Sequence, residues 1–137
     1  MSRSSIGNRR AITFDKELEL RSIKLAAISA TTNQTAIAFP ATKQLDFKAV
    51  IQVATHTGYV AGTAEWTIEV QASADNATFK RVGNPVTPAG SIVNFEIALS
   101  GRSIENIVPD AAYVRVIATK TGSPGNLTYG AFLTTSH

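Results

Sequence analysis

A chain of 137 residues, 44% hydrophobic and 17% charged, has the size and balance of one folded domain, and scaling places about two thirds of its unfolded surface inside on folding, which excludes general disorder. The absence of cysteine excludes disulfides, a thiolate nucleophile and cysteine-ligated zinc. The net charge of +3 is uneven: residues 1–24 carry Arg3, Arg9, Arg10, Lys16, Arg21 and Lys24 against Asp15, Glu17 and Glu19, while the other seven basic residues face seven acidic ones, so the body is neutral and the amino-terminal stretch is basic.

Residues 1–10 combine Ser, Gly, Asn and Arg with Ile6 as the single internal anchor, too little apolar surface to fold independently. They are expected to form a flexible arm ahead of one β domain over 11–137. The stretch lacks the apolar run of a signal peptide, and no window approaches about 18 apolar residues. A soluble, non-secreted product is expected.

Beyond the arm, apolar residues recur at period two, which places successive side chains on opposite faces of a strand. Leu18 and Leu20 open the pattern, and Ile23 and Leu25 resume it after a one-residue slip at Arg21 and Ser22, a predicted bulge. A second strand is expected over Thr35 to Phe39, stopped by Pro40, which has no ladder donor. Gln44 to Thr55 gives the clearest strand, with Leu45, Phe47, Ala49, Ile51 and Val53 facing one way. After a loop through Thr57, Gly58, Gly62 and Thr63, Trp66, Ile68 and Val70 alternate with Glu65, Thr67, Glu69 and Gln71.

Asp75 and Asn76 tolerate the left-handed backbone of a tight turn, so Trp66 to Val82 reads as a hairpin whose return strand carries Phe79. Asn84, Pro85, Pro88 and Gly90 read as a connector, Val93 to Leu99 as a strand, and Ile104 and Ile107 as a short helical turn. Ala112 to Thr119 and Leu127 to Thr134 complete about eight strands. Strands at this spacing without crossover helices predict an all-β, antiparallel β-sandwich of jelly-roll type.

Candidate chemistry is sparse. His56 lies at a strand end, where a water-exposed loop histidine is expected, and His137 is the last residue. Glu65 and Glu69 share a strand face but lie roughly 13 Å apart along extended chain, beyond the spacing of a glycosidase pair, and read as a solvated outer face. Glu17 and Glu19 are read in the same way, as a solvated face. No phosphate loop, nucleophile elbow, zinc-protease helix or calcium loop occurs, so neither catalytic nor metal-binding residues nor cofactors are expected. Asn33, Asn76 and Asn126 begin glycosylation-type triplets, read as coincidences of a Thr-rich chain without a secretory signal. Trp66, sharing a face with Ile68 and Val70, reads as core. Tyr59, beside loop glycines, is a candidate surface contact. The basic residues Arg3, Arg9 and Arg10 are candidates for docking on a protein neighbour; a solvated tail and nucleic-acid contact stay open, the latter disfavoured because no basic face interleaved with aromatics continues into the body.

Two segments carry a resemblance. Glu65-Trp66-Thr67-Ile68-Glu69-Val70-Gln71-Ala72-Ser73-Ala74-Asp75-Asn76-Ala77-Thr78-Phe79-Lys80-Arg81-Val82, and Ala112-Tyr113-Val114-Arg115-Val116 with Gly122 and the closing strand, resemble stretches of discoidin-like jelly rolls and of small structural proteins from tailed bacteriophages. Discoidin-like modules often carry cysteines or calcium loops, which this chain lacks. A short, cysteine-free, Ala/Thr-rich β domain with a basic amino terminus resembles the capsid decoration, or cement, proteins. That resemblance implies a homotrimer seated between subunits of the major capsid protein at the virion surface, with no membrane contact. A carbohydrate-binding module using Tyr59 and the loop Gly122 to Asn126, and a head-completion or tail component, stand as alternatives.

Overall fold

The computed structural model describes residues 18–43 and 46–135; the expected arm, with Arg3, Arg9 and Arg10, lies outside the described residues, as does Leu45. The described chain forms strands β1 (Glu19–Arg21), β2 (Thr32–Asn33), β3 (Ile37–Ala38), β4 (Asp46–Val53), β5 (Glu65–Ser73), β6 (Lys80–Val86) and β7 (Val93–Ser100), helix α1 (Gly101–Ile107), then β8 (Tyr113–Thr121) and β9 (Tyr129–Thr135). One sheet runs β1-β9-β4-β7 and the other β2-β8-β5-β6, with β3 also on β8. All pairings are antiparallel.

Those pairings are nested. β5 pairs with β6, β4 with β7, β2 and β3 with β8, and β1 with β9, as in one long hairpin. Cross-pairs β4–β9 and β5–β8 then close the rolled hairpin into two sheets. Because β2 and β3 share one strand position, eight positions are filled, four per sheet: a jelly roll.

The period-two pattern supplies the inner faces. Phe47, Ala49, Ile51 and Val53 of β4, Trp66, Ile68, Val70 and Ala72 of β5, Val114, Val116 and Ala118 of β8, and Tyr129, Ala131 and Leu133 of β9 are all buried in one core. The β5–β6 turn forms as expected. Asn76 takes φ 60°, and Asp75 Oδ1 accepts the Ala77 and Thr78 amides at 3.0 Å each and the Ser73 hydroxyl at 2.9 Å. These bonds, led by the Thr78 and Ala77 amides, hold the Asp75 carboxyl below its ordinary range.

Four sequence expectations need correction. Ile23 and Leu25 do not extend the first strand: β1 ends at Arg21, and both side chains are exposed. The cause is Arg21 itself, which is buried, donates from Nε to the Tyr129 carbonyl and from Nη2 to the Ala26 carbonyl, both at 2.9 Å, and bends the following residues around its guanidinium. Second, the strand expected over Thr35 to Phe39 shortens to β3 (Ile37–Ala38), and β2 (Thr32–Asn33) is an additional short strand ahead of it. Third, Asn84 and Pro85 belong to β6 rather than a connector; β6 is an edge strand, where a missing amide donor is tolerated, and a register irregularity lies opposite Ile68 and Val70. Fourth, Phe79 precedes β6 instead of lying in it. The short helical turn is α1, with Ile104 buried and Ile107 exposed.

The Tyr129 ring is fully buried under the Arg21 guanidinium, 4.8 Å from its centroid, and its hydroxyl finds no hydrogen bond. Burial pushes the phenol up to about 12, while Arg21 and the neighbouring Gln34 amide soften the rise without closing a well-formed bond. In the unfolded chain the phenol ionises near pH 10, so between about pH 10 and 12 the unfolded state has lost a proton that the folded state keeps. Stability is therefore whole below pH 10 and falls through that window by about 1.4 kcal/mol per pH unit. Denaturant melts of wild type and Tyr129→Phe at stepped pH should show the difference moving towards the variant by about 2–3 kcal/mol between pH 10 and 12; a constant difference would refute it.

Candidate docking surface

Antiparallel alternation places four connections at one end of the sandwich: residues 22–31, 54–64, 87–92 and 122–128. They are bonded to one another. Ile28 and Leu127 exchange backbone bonds at 2.8 and 2.9 Å, Ala54 N–H donates to the Thr128 carbonyl at 3.0 Å, His56 N–H to Gly90 at 3.0 Å, and Gly125 N–H to Thr57 at 2.7 Å. From the core, Trp66 Nε1 donates to the Gly125 carbonyl at 2.8 Å. Gly122, at φ +70°, lies so close to the Thr63 carbonyl that a Cβ would collide with it. Neighbouring loops thus hold one another in fixed positions.

This end carries the exposed apolar surface. Among the described residues, five large hydrophobic side chains are exposed, and four sit here: Ile23 at 38% and Leu25 at 48% on the first connection, Val60 at 54% on the second and Ile92 at 77% on the third. The fifth, Ile107, lies at the end of α1. Isolated exposed apolar residues are ordinary, but four on one braced end, with Ile23 and Ile92 lining a common hollow, make this end a candidate docking surface. Fully burying one such side chain is worth about 1.5–3 kcal/mol. Ile23 also divides two shallow hollows on the outer face of the first sheet, one reaching Glu19, Arg21 and Phe132, the other Ile92 and Asn94.

The residues singled out from sequence fall into place unevenly. Tyr59 is half-buried in the second connection, with its Cβ 3.6 Å from where a Cβ on Gly90 would stand. Its loop does meet the segment Gly122 to Asn126: a Cβ on Gly58 would stand 3.1 Å from Gly125 N and 3.3 Å from Pro124 Cα. Trp66 and Tyr129 are fully buried, so neither ring presents a face to a ligand. Glu65 accepts the Gly62 amide at 2.9 Å, and Glu69 accepts Gln71 Nε2 at 3.0 Å; both are half-buried and tied to the fold rather than freely solvated. Among the described residues, no three His, Asp or Glu side chains are grouped to hold a metal ion.

His56 contradicts its reading as a water-exposed loop histidine. It is 7% exposed, and neither ring nitrogen has a hydrogen-bond partner. Its backbone bond to Gly90 draws it beneath the loop end, a long-range constraint with no local sequence signal. No protein-family model matches the chain, and no curated protein matches it.

An unpaired buried polar group costs about 1–3 kcal/mol. His56→Leu, which removes both nitrogens at similar bulk, should leave stability unchanged or raise it by about 1 kcal/mol in chemical denaturation. A fall of that size would mean that the imidazole has a stabilising partner.

Proposed function

We propose that the protein is a virion structural protein, a capsid decoration or cement protein that binds between subunits of the major capsid protein and stabilises the shell, acting as a homotrimer at the virion surface. The observation that carries the reading is the gathering of Ile23, Leu25, Val60 and Ile92 on one braced end of the jelly roll. Support also comes from the basic composition of residues 1–10 and from the family resemblance in the strand segments. Contacts from the loop end and from the arm, repeated in an oligomer, would act together through avidity, so modest single contacts would hold neighbouring capsid subunits without chemical turnover.

The test is co-sedimentation with particles. Deleting residues 1–10, and separately introducing Ile92→Asp with Val60→Asp, should each reduce particle occupancy at least about tenfold, the equivalent of about 1.4 kcal/mol. Thermal unfolding should stay within a few degrees of wild type, since residues 1–10 contribute little apolar sequence and Val60 and Ile92 are exposed. Unaltered occupancy in both variants would overturn the reading.

A second reading, a carbohydrate-binding module, is favoured by one observation: the Tyr59 loop and the Gly122 to Asn126 segment lie against each other. Saturable binding on a glycan array, lost with Tyr59→Ala and kept with Ile92→Asp, would select this reading; absence of any glycan signal would dismiss it.

A further inference from the structure

On the outer face of the second sheet, Arg81, Gln71 and Arg115 stand side by side across β6, β5 and β8. Glu69 shares that face two residues along β5. The two arginines are held differently. Arg81 approaches Glu69 Oε1 at 3.8 Å with its side chain 55% exposed, an ordinary surface pair. Arg115 has no carboxylate partner among the described residues.

Instead, Arg115 is held by neutral groups. Its Nε donates to Gln71 Oε1 at 2.8 Å, and its guanidinium carbon stands 3.9 Å from the centroid of the Phe79 ring. Gln71 is itself fixed, because its Nε2 donates to Glu69 Oε2 at 3.0 Å. One hydrogen bond and one ring contact therefore position the guanidinium, while neither Nη donates to any described residue. The side chain is half-buried, and desolvation lowers its pKa from the ordinary value. The Gln71 bond and the Phe79 ring offset part of the cost of withdrawing this cation from water, but no carboxylate among the described residues neutralises its charge.

We propose that Arg115 is a carboxylate-binding site, whose two Nη groups form a planar fork for both oxygens of a carboxylate carried by a partner protein. The rotamer is set on folding, so little of its entropy is lost on binding. Arginine is enriched among the residues that dominate protein interfaces, and a pre-positioned, half-buried one suits that role. A monoanion is favoured over phosphate: Arg115 is one cation, and Glu69 lies a single glutamine away, where its charge repels a dianion more strongly. The site lies on a sheet face, away from the loop end, and stands independently of the virion reading.

The experiment follows side-chain N–H resonances of the full-length, isotope-labelled protein while sodium acetate replaces sodium chloride at constant ionic strength. The Arg115 signals should shift saturably, and those of exposed Arg102 should not. Gln71→Met, which frees the Arg115 plane, should weaken the acetate response about fivefold, the loss of one ordinary hydrogen bond. Inorganic phosphate in a parallel titration should saturate at higher concentration than acetate. Arg115 signals that merely track Arg102, an unchanged response in Gln71→Met, or tighter binding of phosphate would each overturn the proposal.

Discussion

The hydrogen bond from the Trp66 indole to the Gly125 carbonyl joins the core to the loop end. A buried indole must find an acceptor for its single donor, and here that acceptor lies in the connection between β8 and β9. Gly125 in turn donates to Thr57, so the connection between β4 and β5 is fixed by the same residue. Through the bond from His56 to Gly90, the constraint reaches the connection between β6 and β7. Loops that carry exposed isoleucine and valine are thereby held by the centre of the sandwich. Side chains displayed on such a support lose little loop freedom when they meet a partner, and more of their burial energy appears as affinity.

The rolled-hairpin topology also decides where recognition can occur. Both inner faces are filled by packed apolar side chains, leaving the ends and the outer faces. Several acids are already engaged there: Asp75 in its turn, Glu65 at Gly62, Glu69 with Gln71, and Glu96 with Lys48 at 3.2 Å. Arg115 differs because its bonds stop at a neutral partner. The contrast follows from register: Gln71 stands directly opposite Arg115 on the neighbouring strand, whereas Glu69 stands opposite Ile117 and beside Arg81.

Much of the fold was legible because β4, β5 and β7 each bury one face, and period two is the direct imprint of that burial. The jelly-roll reading followed from strand number and turn spacing. The failures share a cause in long-range contacts. Ile23 and Leu25 continued the apolar rhythm, but Arg21 reaches Tyr129, 108 residues away, and turns the chain. Pro85 read as a loop residue because edge position is a property of the sheet. His56 read as exposed because its pairing with the distant Gly90 carries no local signal. Gln71 and Arg115, 44 residues apart in sequence, carried no joint signal, so Arg115 passed as one member of a familiar strand motif.

The two surfaces differ in what they can contribute to an interface. The loop end offers apolar area, which is non-directional and tolerates changes of angle. A guanidinium fork offers direction, because two parallel bonds to a carboxylate are satisfied over a narrow range of orientations. On a small rigid body the first surface would supply most of the binding energy and the second would fix rotation about the contact. The two lie on different sides of the sandwich, so one partner surface could reach both only by wrapping around it. Two neighbours approaching from different directions meet this geometry more simply. The bridging of subunits proposed above would require such an arrangement, with the apolar loops and Arg115 on separate contacts.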